Sequence, residues 1–319
     1  MTRIVFMGSP RLAVPTLDAL VAAGHEVTLA VAQPPRPAGR GRREVQPPVA
    51  ERATELGIPT FQPPRLRAHE AVERVAAEHP EAIVVAAYGQ ILARSVLELP
   101  PFGCLNLHPS LLPRHRGAAP ISGAILAGDP VTGATIMLMD EGMDTGPILA
   151  QRETPIADDD DQLSLTERLA RLGAELMVDT LARHAAGTIT PQPQEAALAT
   201  VTRRVMVADG ALDWTEPADT LWRRIRAYAE WPQGQTSWNG RQLRILRAAH
   251  DSALDLEPGL VAAYGPPRRS PQAVAIGTGR GVLLPEVIGV EGRRPMPIAD
   301  FLRGAPSLIG STLATVTAE

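Results

Sequence analysis

The chain has 319 residues, which at roughly 150 residues per domain points to two domains. Hydrophobic residues make up 45% and charged residues 21%, excluding a largely disordered chain, and no apolar run approaches the roughly 20 residues that span a bilayer. All 31 basic residues are arginines, set against 35 acidic residues for a net charge of −4; lysine Schiff-base chemistry is excluded, and a nucleic-acid partner has to be met by a local patch.

The amino terminus, Met1-Thr2-Arg3-Ile4-Val5-Phe6, enters an apolar strand directly with no signal or transit segment. The single cysteine, Cys104, cannot form an internal disulfide. Both features predict a cytoplasmic protein, and without a cysteine cluster no metal is expected. Residues 4–7, closing at Gly8, read as a buried parallel strand. Pro15 suits a first helical turn, Leu17, Leu20 and Val21 follow at helical spacing, and Gly24 reads as the stop. With a second strand over 27–32, residues 4–32 make one βαβ unit. Polar helices are predicted over 48–56 and 68–78, and strands over 82–87, 104–108 and 134–139. This alternation predicts an α/β fold, a Rossmann-like open, mostly parallel sheet with helices on both faces.

Ser164-Leu165-Thr166-Glu167 has the form of a capping box, and Leu165, Leu169, Leu172, Leu176 and Leu181 give the helix after it an apolar stripe that ends near Gly187. The preceding Asp158-Asp159-Asp160-Asp161 favours that helix's positive end rather than a metal site. Residues 188–207, with Pro191 and Pro193, read as an extended linker. Beyond residue 208 a short helix over 220–227 is followed by β-type runs over 235–238, 242–248, 259–263, 273–276 and 281–290, which suggests a smaller antiparallel β-barrel of the oligonucleotide-binding type. The expected domains are therefore 1–187, catalytic; 188–207, linker; and 208–319, the barrel. Residues 208–319 hold 12 arginines against 12 acidic residues, so the negative excess lies in 1–207, where 19 basic residues face 23 acidic ones.

Three segments carry possible chemistry. In Asn106-Leu107-His108, residues two apart on a strand share a face, so an amide and an imidazole converge at the carboxyl end of an inner strand, where open α/β sheets bind ligands. Alone, such a pair is more often a half-buried histidine satisfied by its neighbours. Ser110-Leu111-Leu112-Pro113-Arg114-His115-Arg116-Gly117 follows as a long loop, either a ligand wall or a surface connection. Met139-Asp140-Glu141-Gly142-Met143-Asp144 is a turn-rich loop expected to leave the same carboxyl edge, where a carboxylate could orient an imidazole or serve only as a turn residue.

Together, Asn106-x-His108, Ser110-Leu111-Leu112-Pro113 and Asp144 resemble the folate-dependent formyltransferases, and within them the members that act on methionyl-tRNA. The likeness runs from Arg3 to about residue 305, through Met7-Gly8-Ser9-Pro10, Gln33-Pro34-Pro35-Arg36-Pro37-Ala38-Gly39-Arg40-Gly41, Ala86-Ala87-Tyr88-Gly89-Gln90-Ile91-Leu92 and Arg294-Pro295-Met296-x-x-Ala299-Asp300-Phe301-Leu302. The resemblance implies a bacterial, cytoplasmic, monomeric enzyme that moves a formyl group from 10-formyltetrahydrofolate to the α-amino group of methionyl initiator tRNA, through a tetrahedral oxyanion and without metal. It further implies that Asn106 donates to the oxyanion, His108 stabilises it and moves protons, and Asp144 orients and charge-stabilises His108. By the same likeness Ser110, Leu111, Leu112 and Pro113 line the folate site, while backbone at Tyr88, Gly89, Ile91 and Leu92 and at Asp140, Glu141 and Gly142 cradles the pterin.

Arg36, Arg40, Arg42 and Arg43, read alone, make a mobile solvated loop; the family match to Arg-Pro-Ala-Gly-Arg-Gly makes them the grip on the tRNA acceptor stem. His115 stands where a tryptophan is common in the family, and Ala229-Glu230-Trp231-Pro232 replaces a more usual Asn-Pro-Trp-Pro. Rival readings are a formyltransferase for an amino-sugar nucleotide, a hydrolase passing the formyl group to water, and a non-catalytic RNA-binding relative. A nucleotide-dependent dehydrogenase is a fourth, but Gly8-Ser9-Pro10 lacks the Gly-x-Gly-x-x-Gly fingerprint.

Overall fold

The computed structural model describes residues 1–38, 43–265 and 273–316. They divide into two compact units, one of residues 1–120, 130–155 and 165–202, the other of residues 121–129, 156–164 and 203 onward. Segments 121–129 and 156–164 thus pack with the later chain, an exchange that boundaries drawn in chain order do not express.

The first unit is built on a seven-stranded sheet. Arg3–Gly8 lies inside it, paired in parallel with Glu26–Val31 on one side and Ala82–Ala86 on the other. Thr60–Phe61 extends the first side and Cys104–His108 the second, again in parallel. Val131–Leu138 then runs antiparallel to Cys104–His108, and Ile148–Pro155 antiparallel to Val131–Leu138. Residue alternation divides the core into two layers. Ile4, Phe6, Val84, Leu105 and Leu107 meet Leu17 and Leu20 of helix Val14–Ala22, Val49 and Ala53 of Pro48–Glu55, and Leu176, Met177 and Leu181 of Gln162–Ala185. Val5, Met7, Val85 and Cys104 meet Leu66, Val75 and Val96 on the opposite face. Covering both faces is what a parallel sheet requires.

Three local expectations change. Helix Gln162–Ala185 begins before Ser164, because the Asp161 carboxylate accepts from the backbone N–H groups of Leu163 and Ser164, each at 2.9 Å. A charged acceptor at the positive end of the helix replaces the hydroxyl, which instead donates to Asp160 Oδ1 at 2.9 Å. In the arginine-bearing stretch expected as a mobile loop, Arg36–Ala38 pairs antiparallel with Arg43–Val45. The expected linker 188–207 belongs to the first unit as far as Thr202, the rest to the second: Gln192 and Ile148 exchange backbone hydrogen bonds at 2.8 Å, and Val201–Thr202 pairs in parallel with Arg116–Gly117.

In the second unit a curled antiparallel sheet runs in the order Val261–Tyr264, Ala273–Gly277, Val282–Val290, Arg241–Asp251, Gly234–Trp238, Ala314–Thr315. Leu260 bridges Thr312, so backbone hydrogen bonds join the two ends of this path. The five expected strands are all present. Helices Ala218–Ala227 and Ile298–Gly304 contribute Leu221, Ile225, Ile298, Phe301 and Leu302 to the core inside the sheet. The second helix was not expected, although Ile298, Phe301 and Leu302 have helical spacing behind Pro297.

Candidate active site

The strand Cys104–His108 positions the first two groups. Leu105 and Leu107 enter the core between sheet and helices, which turns Asn106 and His108 together to the other face, 8% and 4% exposed. Gly173 makes room for Leu107: a Cβ at that position would stand 2.4 Å from Leu107 Cδ1. Asn106 lies in register with Val85 and Met137, and His108 with Thr135.

His108 Nε2 is 2.9 Å from the His115 carbonyl oxygen. A carbonyl only accepts, so Nε2 carries the hydrogen and Nδ1 is left as the basic nitrogen. Nδ1 stands 3.6 Å from Asp144 Oδ2, too far for a hydrogen bond and within ion-pair range. Burial pushes the imidazole below the ordinary histidine range, while the Asp144 carboxylate and the His115 carbonyl pull it back up. The geometry is that of a neutral base whose positive charge, once a proton arrives, is met at once by a carboxylate. The same Asp144 Oδ2 accepts the Gly117 backbone N–H at 2.8 Å.

Asp144 reaches this place by a route other than the expected one. Because Val131–Leu138 is antiparallel to Cys104–His108, Leu138 lies beside Leu105 and the Met139 N–H donates to the Cys104 carbonyl. The loop therefore starts at the amino end of the catalytic strand and travels back to His108. Asp144 takes φ 55, a left-handed conformation that aspartate tolerates better than most residues.

The loop after His108 is folded by internal hydrogen bonds. Ser110 is fully buried and its hydroxyl donates to the Arg114 carbonyl at 2.7 Å, which leaves it no nucleophilic role. Thr135 Oγ1 donates to the Ser110 carbonyl at 2.6 Å and accepts from the Leu112 N–H at 3.1 Å. The Gln151 amide donates to the Leu112 carbonyl at 2.8 Å and to Thr135 Oγ1 at 2.9 Å. Leu112 is buried and Leu111 and Pro113 half-buried. Thr135 and Gln151 carried no signal in the sequence, since their importance comes from cross-strand register.

Tyr88 is buried, which drives its phenol up to about 12, and its carbonyl accepts from Ser9 Oγ at 3.1 Å and Gln33 Nε2 at 3.2 Å. Ala87 and Gly89 on either side have positive φ, 47 and 87, so the backbone turns sharply here. Leu92 is buried, but Ile91 is 87% exposed, a large apolar side chain presented outward. Across from this loop, Asp140 Oδ1 accepts from the Gly142 N–H at 3.0 Å and from the Thr145 hydroxyl at 2.7 Å. Asp140, Glu141 and Gly142 are exposed. The Arg94 guanidinium, raised mainly by its direct partner Glu98, also feels the Glu141 charge. An apolar side chain, turned backbone and an exposed acidic loop fit a flat ring with polar edges.

Asn106, His108 and Asp144 thus come together, with Ser110, Leu111, Leu112 and Pro113 on the adjoining loop. Arg36 is exposed on the strand Arg36–Ala38; Arg40 and Arg42 lie outside the described residues, as does the Arg43 side chain. Among the described residues no group of three His, Cys, Asp or Glu could hold a metal ion, and no helix is long and apolar enough to cross a membrane.

Comparison with known proteins matches the geometry. The family model described as "Formyl transferase" covers residues 2–181, and "Formyl transferase, C-terminal domain" covers residues 204–306. A protein of Roseiflexus sp. strain RS-1 named methionyl-tRNA formyltransferase is 47% identical over 99% of this chain and 97% of its own. Its namesake in Chloroflexus aggregans is 48% identical over 95% and 97%. In fold, the chain is similar to HypX from Aquifex aeolicus in complex with tetrahydrofolic acid, with a TM-score of 0.64 at 18% identity; it spans all of this chain but 51% of HypX. The chain belongs to the formyl transferase family, and within it to the methionyl-tRNA formyltransferases.

Proposed function

We propose that this chain transfers a formyl group from 10-formyltetrahydrofolate to the α-amino group of methionyl initiator tRNA in the bacterial cytoplasm, acting as a monomer. The observation that carries the mechanism is the arrangement of His108, fixed through Nε2 on the His115 carbonyl and facing Asp144 through Nδ1. The folate supplies the activated formyl group. As the amine attacks, negative charge develops on the formyl oxygen, and the Asn106 amide, held on the same strand face, is the donor suited to it; such a contact contributes roughly 10²–10³ in rate. His108 Nδ1 takes the proton the amine must lose, and Asp144 stabilises the imidazolium that results. That proton passes to the folate nitrogen as the oxyanion collapses and the bond from that nitrogen to the formyl carbon breaks, releasing tetrahydrofolate. Near-complete burial of Asn106 and His108 keeps competing water from both.

In this reading Ser110, Leu111, Leu112 and Pro113 wall the folate site, and the turned backbone at Tyr88, Gly89, Ile91 and Leu92 faces Asp140, Glu141 and Gly142 around the pterin. Residues 1–187 carry the chemistry, and the barrel of 208–319 together with Arg36, Arg40, Arg42 and Arg43 meets the tRNA. A sugar-nucleotide acceptor is less well supported, because the relatives near half-identity over the whole length are named for methionyl-tRNA. The test follows loss of the formyl group from 10-formyltetrahydrofolate in three parallel reactions, with methionyl initiator tRNA, with an amino-sugar nucleotide, and with water alone. Transfer to the charged tRNA alone is expected. Transfer to the sugar, or hydrolysis without acceptor, would overturn the assigned acceptor.

A further inference from the structure

Both acceptors that flank His108 are held by residues of the segment that follows the long helix. Gln194 Nε2 donates to the Asp144 carbonyl and to the Gly146 carbonyl, each at 2.8 Å. Its Oε1 accepts from Arg116 Nε at 3.0 Å and Nη2 at 2.7 Å, so every hydrogen-bonding atom of the amide is used. Gln194 thereby joins the backbone of the Asp144 turn to the residue next to His115. A few residues on, Thr200 Oγ1 accepts the His115 N–H at 2.7 Å, and the other side of that residue, its carbonyl, is the acceptor for His108 Nε2. The Thr200 backbone adds bonds to the Pro113 carbonyl at 3.3 Å and from the Arg116 N–H at 2.9 Å.

Asp144 needs such support. Its side chain makes no hydrogen bond to His108, its backbone sits at φ 55, and its loop arrives from the far end of the catalytic strand. A carboxylate at ion-pair range is effective only while its backbone cannot swing away. We propose that Gln194 is a positioning residue, with Thr200 as its companion, that fixes Asp144 and the His115 carbonyl on the two nitrogens of His108. The charged and titratable groups facing His108 are Asp144 and His115, and Gln194 with Thr200 grips both. The proposal rests on the reading of His108 as the proton acceptor.

The experiment measures the His108 titration by NMR on histidine-labelled full-length protein, its resonance assigned as the one missing from His108→Gln, alongside kcat and KM. In Gln194→Ala, Asp144 is no longer held, so His108 should titrate at lower pH than in the native chain. The acid limb of kcat should move the same way, kcat should fall about tenfold, and KM for folate and tRNA should change little, the loss being that of a charge-positioning contact. Gln194→Glu keeps the acceptor toward Arg116 but cannot donate to the two carbonyls, and should lose kcat as the alanine variant does. Thr200→Val, which keeps the backbone bonds, should shift the titration downward too, with Thr200→Ser restoring it. An unchanged His108 titration in both Gln194→Ala and Thr200→Val, or full kcat in Gln194→Glu, would overturn the proposal. Because the titration does not depend on the acceptor, a downward shift in an enzyme that formylates no methionyl-tRNA would leave the clamp standing and overturn only the acceptor.

Discussion

His108 Nδ1 and Asp144 Oδ2 stand 3.6 Å apart, an ion-pair distance at which no hydrogen bond forms. The carboxylate therefore acts on His108 through its charge, and Asp144→Asn should expose that role. The amide oxygen can still accept from the Gly117 N–H, so the loop is kept while the charge is lost. We expect kcat to fall by about a hundredfold or more, with folate binding preserved.

The pH dependence follows from the same pair. His108 works as a base, so its neutral form is the active one, and burial holds its pKa below the ordinary 6.5. Turnover should rise with pH along an acid limb whose midpoint lies below the ordinary histidine value, and Asp144→Asn should move that limb lower still. Stability carries the matching sign. Between the depressed value and about 6.5 the unfolded chain binds the proton and the folded one does not, so this group's contribution to stability rises with pH across that window and is constant above it. A profile whose acid limb is untouched by Asp144→Asn would remove Asp144 from the charge balance.

Gly173 controls the catalytic strand from beneath. Alanine would gain about 1 kcal/mol of helix propensity, but its Cβ would meet Leu107 Cδ1 at 2.4 Å and Cγ at 3.1 Å. Overpacking of this kind costs about 1–3 kcal/mol, so Gly173→Ala should lower the Tm. It should lower kcat as well, since Leu107 lies between Asn106 and His108. At Gly304, the last residue of its helix with nothing near the added Cβ, the same substitution should raise the Tm. Thermal unfolding of the two variants side by side separates packing from propensity.

These contrasts mark what could be read from the chain. The buried strand at 82–86 and the Asn106/His108 strand were legible because alternation and apolar runs are local properties. Ile148–Pro155 was not, because this edge strand carries Gln151, Arg152 and Glu153 and buries only part of its length. Asp161 rather than Ser164 caps the long helix, two good N-cap residues competing within one turn. The supports of the site were invisible for a different reason. Gln194 reaches Asp144 across 50 residues and Thr200 reaches His115 across 85, and a lone Gln or Thr between prolines and alanines announces neither partner.

Tyr88 tests whether the pterin cradle is backbone or side chain. Its phenol is buried, raised to about 12 and without a hydrogen-bond partner among the described residues, whereas its carbonyl takes bonds from Ser9 and Gln33. Tyr88→Phe should therefore leave stability and the folate KM close to native, since it removes an unpaired hydroxyl and keeps the backbone. Gln33→Ala frees the carbonyl and should raise the folate KM several-fold. A large loss of folate affinity in Tyr88→Phe would make the hydroxyl itself a ligand contact.

The arginines of 36–43 bear on the acceptor and not on the folate. The chain's net charge of −4 gives tRNA no general attraction, so binding has to come from a local cluster, and in Arg36, Arg40, Arg42 and Arg43 only Glu44 stands nearby in opposition. Each arginine that meets a phosphate releases counterions, so Arg36→Ala and Arg40→Ala should each reduce the slope of log affinity against log salt by about one and raise the KM for charged tRNA. The KM for folate and the rate of any formyl transfer to small amines should stay as in the native enzyme, because the described side-chain partners of His108 and Asp144 are each other, His115 and Gly117, and not Arg36. Equal losses toward folate and tRNA would mean that this segment supports the catalytic site itself, and the assignment of these arginines to the acceptor stem would fall.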